Sequence, residues 1–171
     1  MIEVSARGLS VGFYTPTQVD SLLRHVFGPD TQLITDGTYY VADGAGALVA
    51  AGGWSKRRTL FGGDQMKDHE DPLLDPATEP ARIRAFFVHP DAARQGHGRR
   101  LFDACASAAA AAGFRSLTLV AALPGEPLYR ALGFEVTERF ELHLPDGVSV
   151  PVARMTRALA PPVSASPRTP A

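Results

Sequence analysis

The sequence predicts a mixed α/β fold, a sheet flanked by helices, and three observations carry that prediction. Residues 82–122 read as strand, helix, strand, the pattern of a right-handed parallel crossover. Residues 39–44 and 47–54 read as two strands turning across Asp43-Gly44-Ala45-Gly46. Phe134–Leu144 and Val148–Met155 form a second hairpin across Pro145-Asp146-Gly147. Hairpins pair antiparallel and a crossover pairs parallel, so the sheet is mixed.

The elements can be justified in chain order. Thr15-Pro16 is an N-cap with proline at the first helical position, opening a helix through Val19, Leu22, Leu23 and Val26 that Gly28-Pro29 closes. After the first hairpin, Arg82–Val88 is a strand. Gly98–Ala112 is a helix, because Leu101, Phe102, Cys105, Ala108, Ala109 and Ala112 recur at helical spacing and Gly113 is suited to end it. Leu117–Ala122 is a continuous apolar run, as a strand buried on both faces requires. Pro127–Leu132 is a short helix stopped by Gly133. From Ala160 the chain is rich in Pro, Ser and Ala, so residues 160–171 are expected to be a disordered tail behind a single domain of residues 1–159.

Composition narrows the function. The 171 residues are 45% hydrophobic, enough for one domain to bury its own core. A net charge of −1 argues against general attraction to nucleic acid or membranes. Cys105 is the single cysteine, which excludes an internal disulfide, and its mid-helix position predicts a buried, inert thiol. No apolar run approaches the ~20 residues of a membrane span and no secretory signal opens the chain, so a cytoplasmic location is expected. The five histidines show no metal-ligand spacing, and no metal is expected.

The most informative stretch is Ala85–Leu101, an apolar strand, a polar loop with Gly96 and Gly98, and a helix start. Such a junction leaves backbone N–H groups without intrahelical partners and adds the positive end of the helix dipole, favouring an anion such as a pyrophosphate. The glycines allow close approach, and Arg94, Arg99 and Arg100 add neutralising charge. No Lys follows either glycine, as a P-loop would need, and Leu101 stands where a dinucleotide fingerprint has its third glycine. Taken alone, the loop fits an ordinary strand-to-helix turn as well as a phosphate site.

Val88-His89-Pro90 followed by Ala93-Arg94-Gln95-Gly96-His97-Gly98-Arg99-Arg100-Leu101 resembles the acyl-CoA signature of the GNAT superfamily of N-acetyltransferases. The signature runs Q/R-x-x-G-x-G/A; its glycines fall on Gly96 and Gly98, and its leading Gln/Arg position is held by Ala93. Pro127-Leu128-Tyr129-Arg130-Ala131-Leu132-Gly133-Phe134 resembles the family's F-Y-x-x-x-G-F. The resemblance spans residues 37–157. It implies a mostly antiparallel twisted sheet whose central pair, Arg82–Val88 and Leu117–Ala122, splays into a cofactor cleft. It implies acetyl-CoA as co-substrate, held by the backbone of Phe86, Phe87 and Val88 and by the loop Arg94, Gln95, Gly96, His97, Gly98 and Arg99. It also implies acetyl transfer to a primary amine, with Tyr129 as general acid toward the departing sulfur. A phenol with a reference pKa of about 10 is protonated at neutral pH and suits that task. A rival reading is a catalytically silent acyl-CoA-binding or sensor domain, against which the Tyr129 motif speaks.

The general base is open. Family branches that place a Glu six residues before the Val of V-x-P meet Arg82 here. The segment between Trp54 and Arg82 offers Asp64, Asp68, Glu70, Asp71, Asp75 and Glu79, with His69 among them; such a charge run is usually a solvated surface, its acidity would attract a cationic amine, and a water relay to bulk solvent serves equally well as base. Lys56-Arg57-Arg58 is either a solvated cluster or a contact for an anionic group. The acceptor, expected to be a small-molecule amine, is not specified by these residues; Phe13, Tyr14, Tyr39, Trp54 and Phe61 are candidates for its pocket wall or for core. The opening Met1–Leu9 looks like the tail of the family's first helix, with no strand before it. The start is therefore expected upstream, or the edge strand is absent or supplied by a partner such as a second copy, because an open edge invites association.

Overall fold

Two hairpins and one crossover set the strand order. The computed structural model describes residues 1–44, 46–67 and 71–159. Its sheet has six strands, β1 Tyr39–Gly44, β2 Ala47–Ser55, β3 Ala81–Val88, β4 Ser116–Ala122, β5 Glu135–His143 and β6 Ser149–Ala158, ordered β1-β2-β3-β4-β6-β5. All neighbours are antiparallel except β3 and β4, which are parallel. The mixed, mostly antiparallel sheet is thus as predicted. The turn chemistry explains the hairpins: Asp43 Oδ1 accepts the Gly46 N–H at 2.9 Å, and Gly147, at φ +82°, closes the loop in which Leu144 N–H donates to Val148 O at 2.8 Å.

Among the described residues five α-helices flank the sheet: α1 Ile2–Leu9, α2 Pro16–His25, α3 Thr31–Thr35, α4 His97–Ala111 and α5 Glu126–Ala131. Helix α2 starts with a full capping box, in which the Thr15 hydroxyl accepts the Gln18 N–H at 3.2 Å and Gln18 Oε1 accepts the Thr15 N–H at 3.0 Å. Helix α3 is not visible in the sequence pattern. Its five residues have no apolar period, and the buried Asp30 carboxylate starts it by accepting the Leu33 N–H at 3.2 Å.

The period-2 alternation of β4 and β6 divides the core in two. Leu117, Leu119, Ala153 and Met155 face α4, where Phe102 and Cys105 are buried. Val150 and Val152 face α1 and α2, where Leu22 and Val26 pack. Complete burial of a side chain such as Phe102, 1% exposed, contributes roughly 1.5–3 kcal/mol. Helix α1 lies hard against the turn after β3: a Cβ on Gly8 would stand 2.4 Å from Pro90 Cγ. This contact, together with α1 packing on β3, brings the first residues of the chain to the mouth of the central cleft.

Candidate active site

The cleft exists because β3 leaves β4. The two strands are in register only at Ala81↔Leu117 and Arg82↔Thr118, after which they separate. The separation coincides with a bulge on β3. Between the pairs Gly53↔Arg84 and Ala51↔Phe87, two residues of β3, Ala85 and Phe86, oppose Gly52 of β2. Ala85 adopts φ +54°, a left-handed conformation that a side chain resists, and the bulge turns the strand end out of the ladder. Gly52 makes room for the result, since a Cβ there would meet the Phe86 ring at 2.5 Å. The gap opens into a cleft of about 680 Å³, lined by β3 on one side and by Val120, Ala122 and α5 on the other.

Beyond the end of β3 the chain forms an anion cradle. Arg94 at φ +64° and Gly96 at φ +84° are both left-handed, which curls the loop into the start of α4. The amides of His97, Gly98 and Arg99, the first three of α4, have no intrahelical acceptor, because the ladder begins with Arg100 N–H to Gly96 O at 3.0 Å. Gly98 is buried, and a Cβ there would stand 2.9 Å from Leu128 Cδ2 and 3.9 Å from Val88 Cγ2, so its hydrogen keeps the floor open. Side chains hold the loop: Arg100 Nη2 donates to Gln95 O at 2.9 Å, and Gln95 Nε2 to Asp91 O at 2.9 Å. The Gln95 side chain therefore braces the loop, while Arg94, Gly96, His97, Gly98 and Arg99 line the cleft together with Phe86, Phe87 and Val88. Bare amides, a glycine floor and flanking arginines fit a pyrophosphate.

Tyr129 lies on α5 at the gap between β3 and β4, half-buried. Its ring is fixed by Phe86, with centroids 6.4 Å apart, and by Phe134 at 5.8 Å, edge to face. Burial raises its pKa above the ordinary tyrosine value, so the hydroxyl is protonated throughout the neutral range. Cys105 is fully buried on α4, and burial pushes its thiol up to about 12, as an inert core residue requires.

Most of the other candidate residues that the structure describes lie outside the cleft. Asp64 accepts the Thr31 N–H and pairs with Lys67, Asp71 accepts the Thr59 N–H, and Asp75 and Glu79 cap a local turn. Asp68, His69 and Glu70 lie outside the described residues, as do Ala45 and the tail 160–171. Arg57 is engaged by Asp36 and Asp71 O, and Arg82 donates to Pro80 O. His89 caps the turn after β3, accepting the Asp91 N–H on Nδ1. Of the aromatic candidates, Phe13 and Phe61 line the cleft; Trp54 and Tyr14 are buried, and the Tyr14 hydroxyl ties Leu123 N–H to Pro151 O at 2.8 and 2.7 Å. Among the described residues that line the cleft, none carries a carboxylate.

Two contacts of the site leave no trace in the sequence. Ser5 Oγ on α1 accepts the Val88 N–H at 3.1 Å, fastening α1 to the last residue of β3. Arg84, buried within β3, reaches Asp30 at 2.8 Å and donates to Thr59 O and Gly62 O at 3.2 and 2.6 Å; Lys67 also pairs with Asp30. This ion cluster fixes the Phe61–Gly63 wall of the cleft from behind. Both depend on residues distant in sequence, so no local pattern announces them.

Known proteins share this fold. A family model described as an acetyltransferase (GNAT) domain matches residues 35–136. A comparison with curated protein sequences returns no match. Among solved structures, a GCN5-related N-acetyltransferase from Rhodopseudomonas palustris superposes with a TM-score of 0.66 at 19% identity, covering 92% of this chain and 85% of that one. PaiA N-acetyltransferase from Thermoplasma acidophilum, solved in complex with coenzyme A, gives 0.59 at 11% identity over 92% and 87%. A GNAT superfamily phosphinothricin acetyltransferase from Sinorhizobium meliloti, solved with AcCoA, gives 0.55 at 23% identity over 98% and 89%. At these identities the structural likeness speaks for the fold, and the family match covers more than half of the chain. The chain therefore belongs to the GNAT superfamily and is a GNAT-type N-acetyltransferase.

Proposed function

We propose that the chain transfers an acetyl group from acetyl-CoA to a primary amine of a small molecule by direct attack, without an acetylated enzyme intermediate. The observation that carries this reading is the cleft itself. The strands stay paired for only two positions, and one opening is lined by the loop of residues 94–99, by apolar residues of α1, β4 and β6, and by Tyr129.

The parts divide the work as follows. The amides of residues 96–99, with Arg94 and Arg99, neutralise the pyrophosphate of CoA. The splayed edge of β3 at Phe86–Val88, apart from the Val88 N–H held by Ser5, offers backbone groups to the pantetheine arm in place of the missing β4 partner. A strand N–H polarises the thioester carbonyl. The neutral amine nitrogen forms the new C–N bond, the C–S bond breaks, and Tyr129 gives its proton to the leaving sulfur. The proton lost by the amine goes to solvent, from which Tyr129 is recharged. Cys105 takes no part, because its buried thiol is protonated at any physiological pH.

Calorimetric titration with acetyl-CoA, against ATP and NAD, tests this reading. Micromolar binding of acetyl-CoA with silent controls is expected; equal affinity for ATP or NAD would overturn it.

A further inference from the structure

The acceptor end of the cleft has a chemistry of its own. Its walls are apolar, drawn from α1 and the following turn (Leu9, Phe13), the end of α2 (Phe27), the Arg84-anchored loop (Phe61), β4 (Val120) and β6 (Val152). The titratable or charged groups among the described lining residues are Arg84, Arg94, His97, Arg99 and Tyr129. Arg84 is 4% exposed and spent on Asp30 and two carbonyls. Arg94, His97 and Arg99 belong to the anion cradle and the first turn of α4. The Tyr129 phenol is protonated and supplies an acid, not a base. The carboxylates of Asp64, Asp71, Asp75 and Glu79 are turned to structural amides and Lys67.

Two consequences follow from elementary electrostatics. An ammonium ion entering this chamber loses its hydration and finds no opposite charge among the described lining residues, which is costly. The amine therefore enters favourably only when neutral; among the described lining residues no carboxylate stands by to take its proton, and the one imidazole, His97, sits on the first turn of α4. An alkylamine with a pKa of about 10.4 is neutral in roughly one molecule in 2,500 at pH 7, whereas an α-amino group at about 7.8 is neutral in roughly one in seven.

We propose that the acceptor is a weakly basic amine carried on an uncharged, apolar body, selected by the apolar walls that the described residues give the chamber. This inference rests on the acetyl-transfer reading above. Polycationic acceptors are excluded by the same chemistry that admits the neutral amine.

Three probes separate the possibilities: phenylalanine amide, whose amine is weakly basic; 2-phenylethylamine, with the same aromatic body and a strongly basic amine; and spermidine, a polycation. CoA release is followed with the full chain from pH 6.5 to 9. At pH 7, kcat/KM for phenylalanine amide should exceed that for 2-phenylethylamine at least tenfold. The 2-phenylethylamine value should rise about tenfold per pH unit toward pH 9, while that for phenylalanine amide levels off near pH 8. Spermidine should give no turnover. Preference for spermidine, a 2-phenylethylamine rate that is flat above pH 7, or acetyl-CoA binding with turnover of none of the three would each overturn the inference while leaving the co-substrate reading intact. Failure of acetyl-CoA to bind would overturn both.

Discussion

Replacing Tyr129 by Phe removes one oxygen and leaves the ring where it is. The ring is held by Phe86 and Phe134 at 6.4 and 5.8 Å, and neither contact involves the hydroxyl. Stability should therefore change by about 1 kcal/mol or less, and the cradle of residues 94–99, on a different element, should bind acetyl-CoA within about twofold of the native affinity. The thiolate must then leave without its acid. A positioned general acid contributes roughly 10²–10⁴-fold, which corresponds to about 2.7–5.5 kcal/mol of barrier. The assay pairs calorimetry with steady-state CoA release. Burial raises the Tyr129 pKa, so the protonated form needed for catalysis persists past the ordinary value of about 10. The native enzyme should accordingly show no basic fall in kcat below about pH 10 on account of this group. A Tyr129→Phe enzyme with native kcat, or one that loses acetyl-CoA binding along with turnover, would refute the assignment.

Other residues make separate predictions. Gly98→Ala puts a Cβ within 2.9 Å of Leu128 on the floor of the cradle, and calorimetry should show acetyl-CoA binding weakened at least tenfold; native affinity would mean the cradle is not used. Cys105, its thiol pushed up to about 12, should resist alkylation by iodoacetamide at pH 8 in the folded protein, and Cys105→Ala should keep native turnover; rapid labelling or lost activity would contradict the buried, inert assignment. Arg84→Met leaves Asp30 with Lys67 alone and strips the donors from Thr59 O and Gly62 O. Denaturant unfolding should show a loss of about 3 kcal/mol, and a loss below about 1 kcal/mol would show that the cluster is not structural.

The parts of this molecule that the sequence disclosed are those with local causes. The Asp43–Gly46 and Pro145–Gly147 turns, the Thr15-Pro16 cap and the helical spacing of Leu101, Phe102 and Cys105 each arise within a few residues, and the corresponding elements lie where the pattern put them. The Gly96-x-Gly98 loop was legible for the same reason. What stayed hidden depends on distant partners. Helix α3 hangs on the Asp30 side chain, Ala85 takes φ +54° only because β2 opposes one residue to its two, and Ser5 meets Val88 across 83 positions of chain. The acidic segment left its role open in the sequence, because composition does not say what a carboxylate faces. Among its described residues, Asp64, Asp71, Asp75 and Glu79 are engaged by backbone amides and Lys67 and are not part of the cleft lining.

The central claim is that the gap between β3 and β4 and the adjoining cradle form one acetyl-CoA site. Parallel calorimetric titrations of the native protein and of Gly98→Ala with acetyl-CoA test it most directly. Micromolar, one-to-one binding to the native chain that weakens at least tenfold in the variant is the predicted result. Binding unaffected by the variant, or no binding to the native chain, would contradict the account.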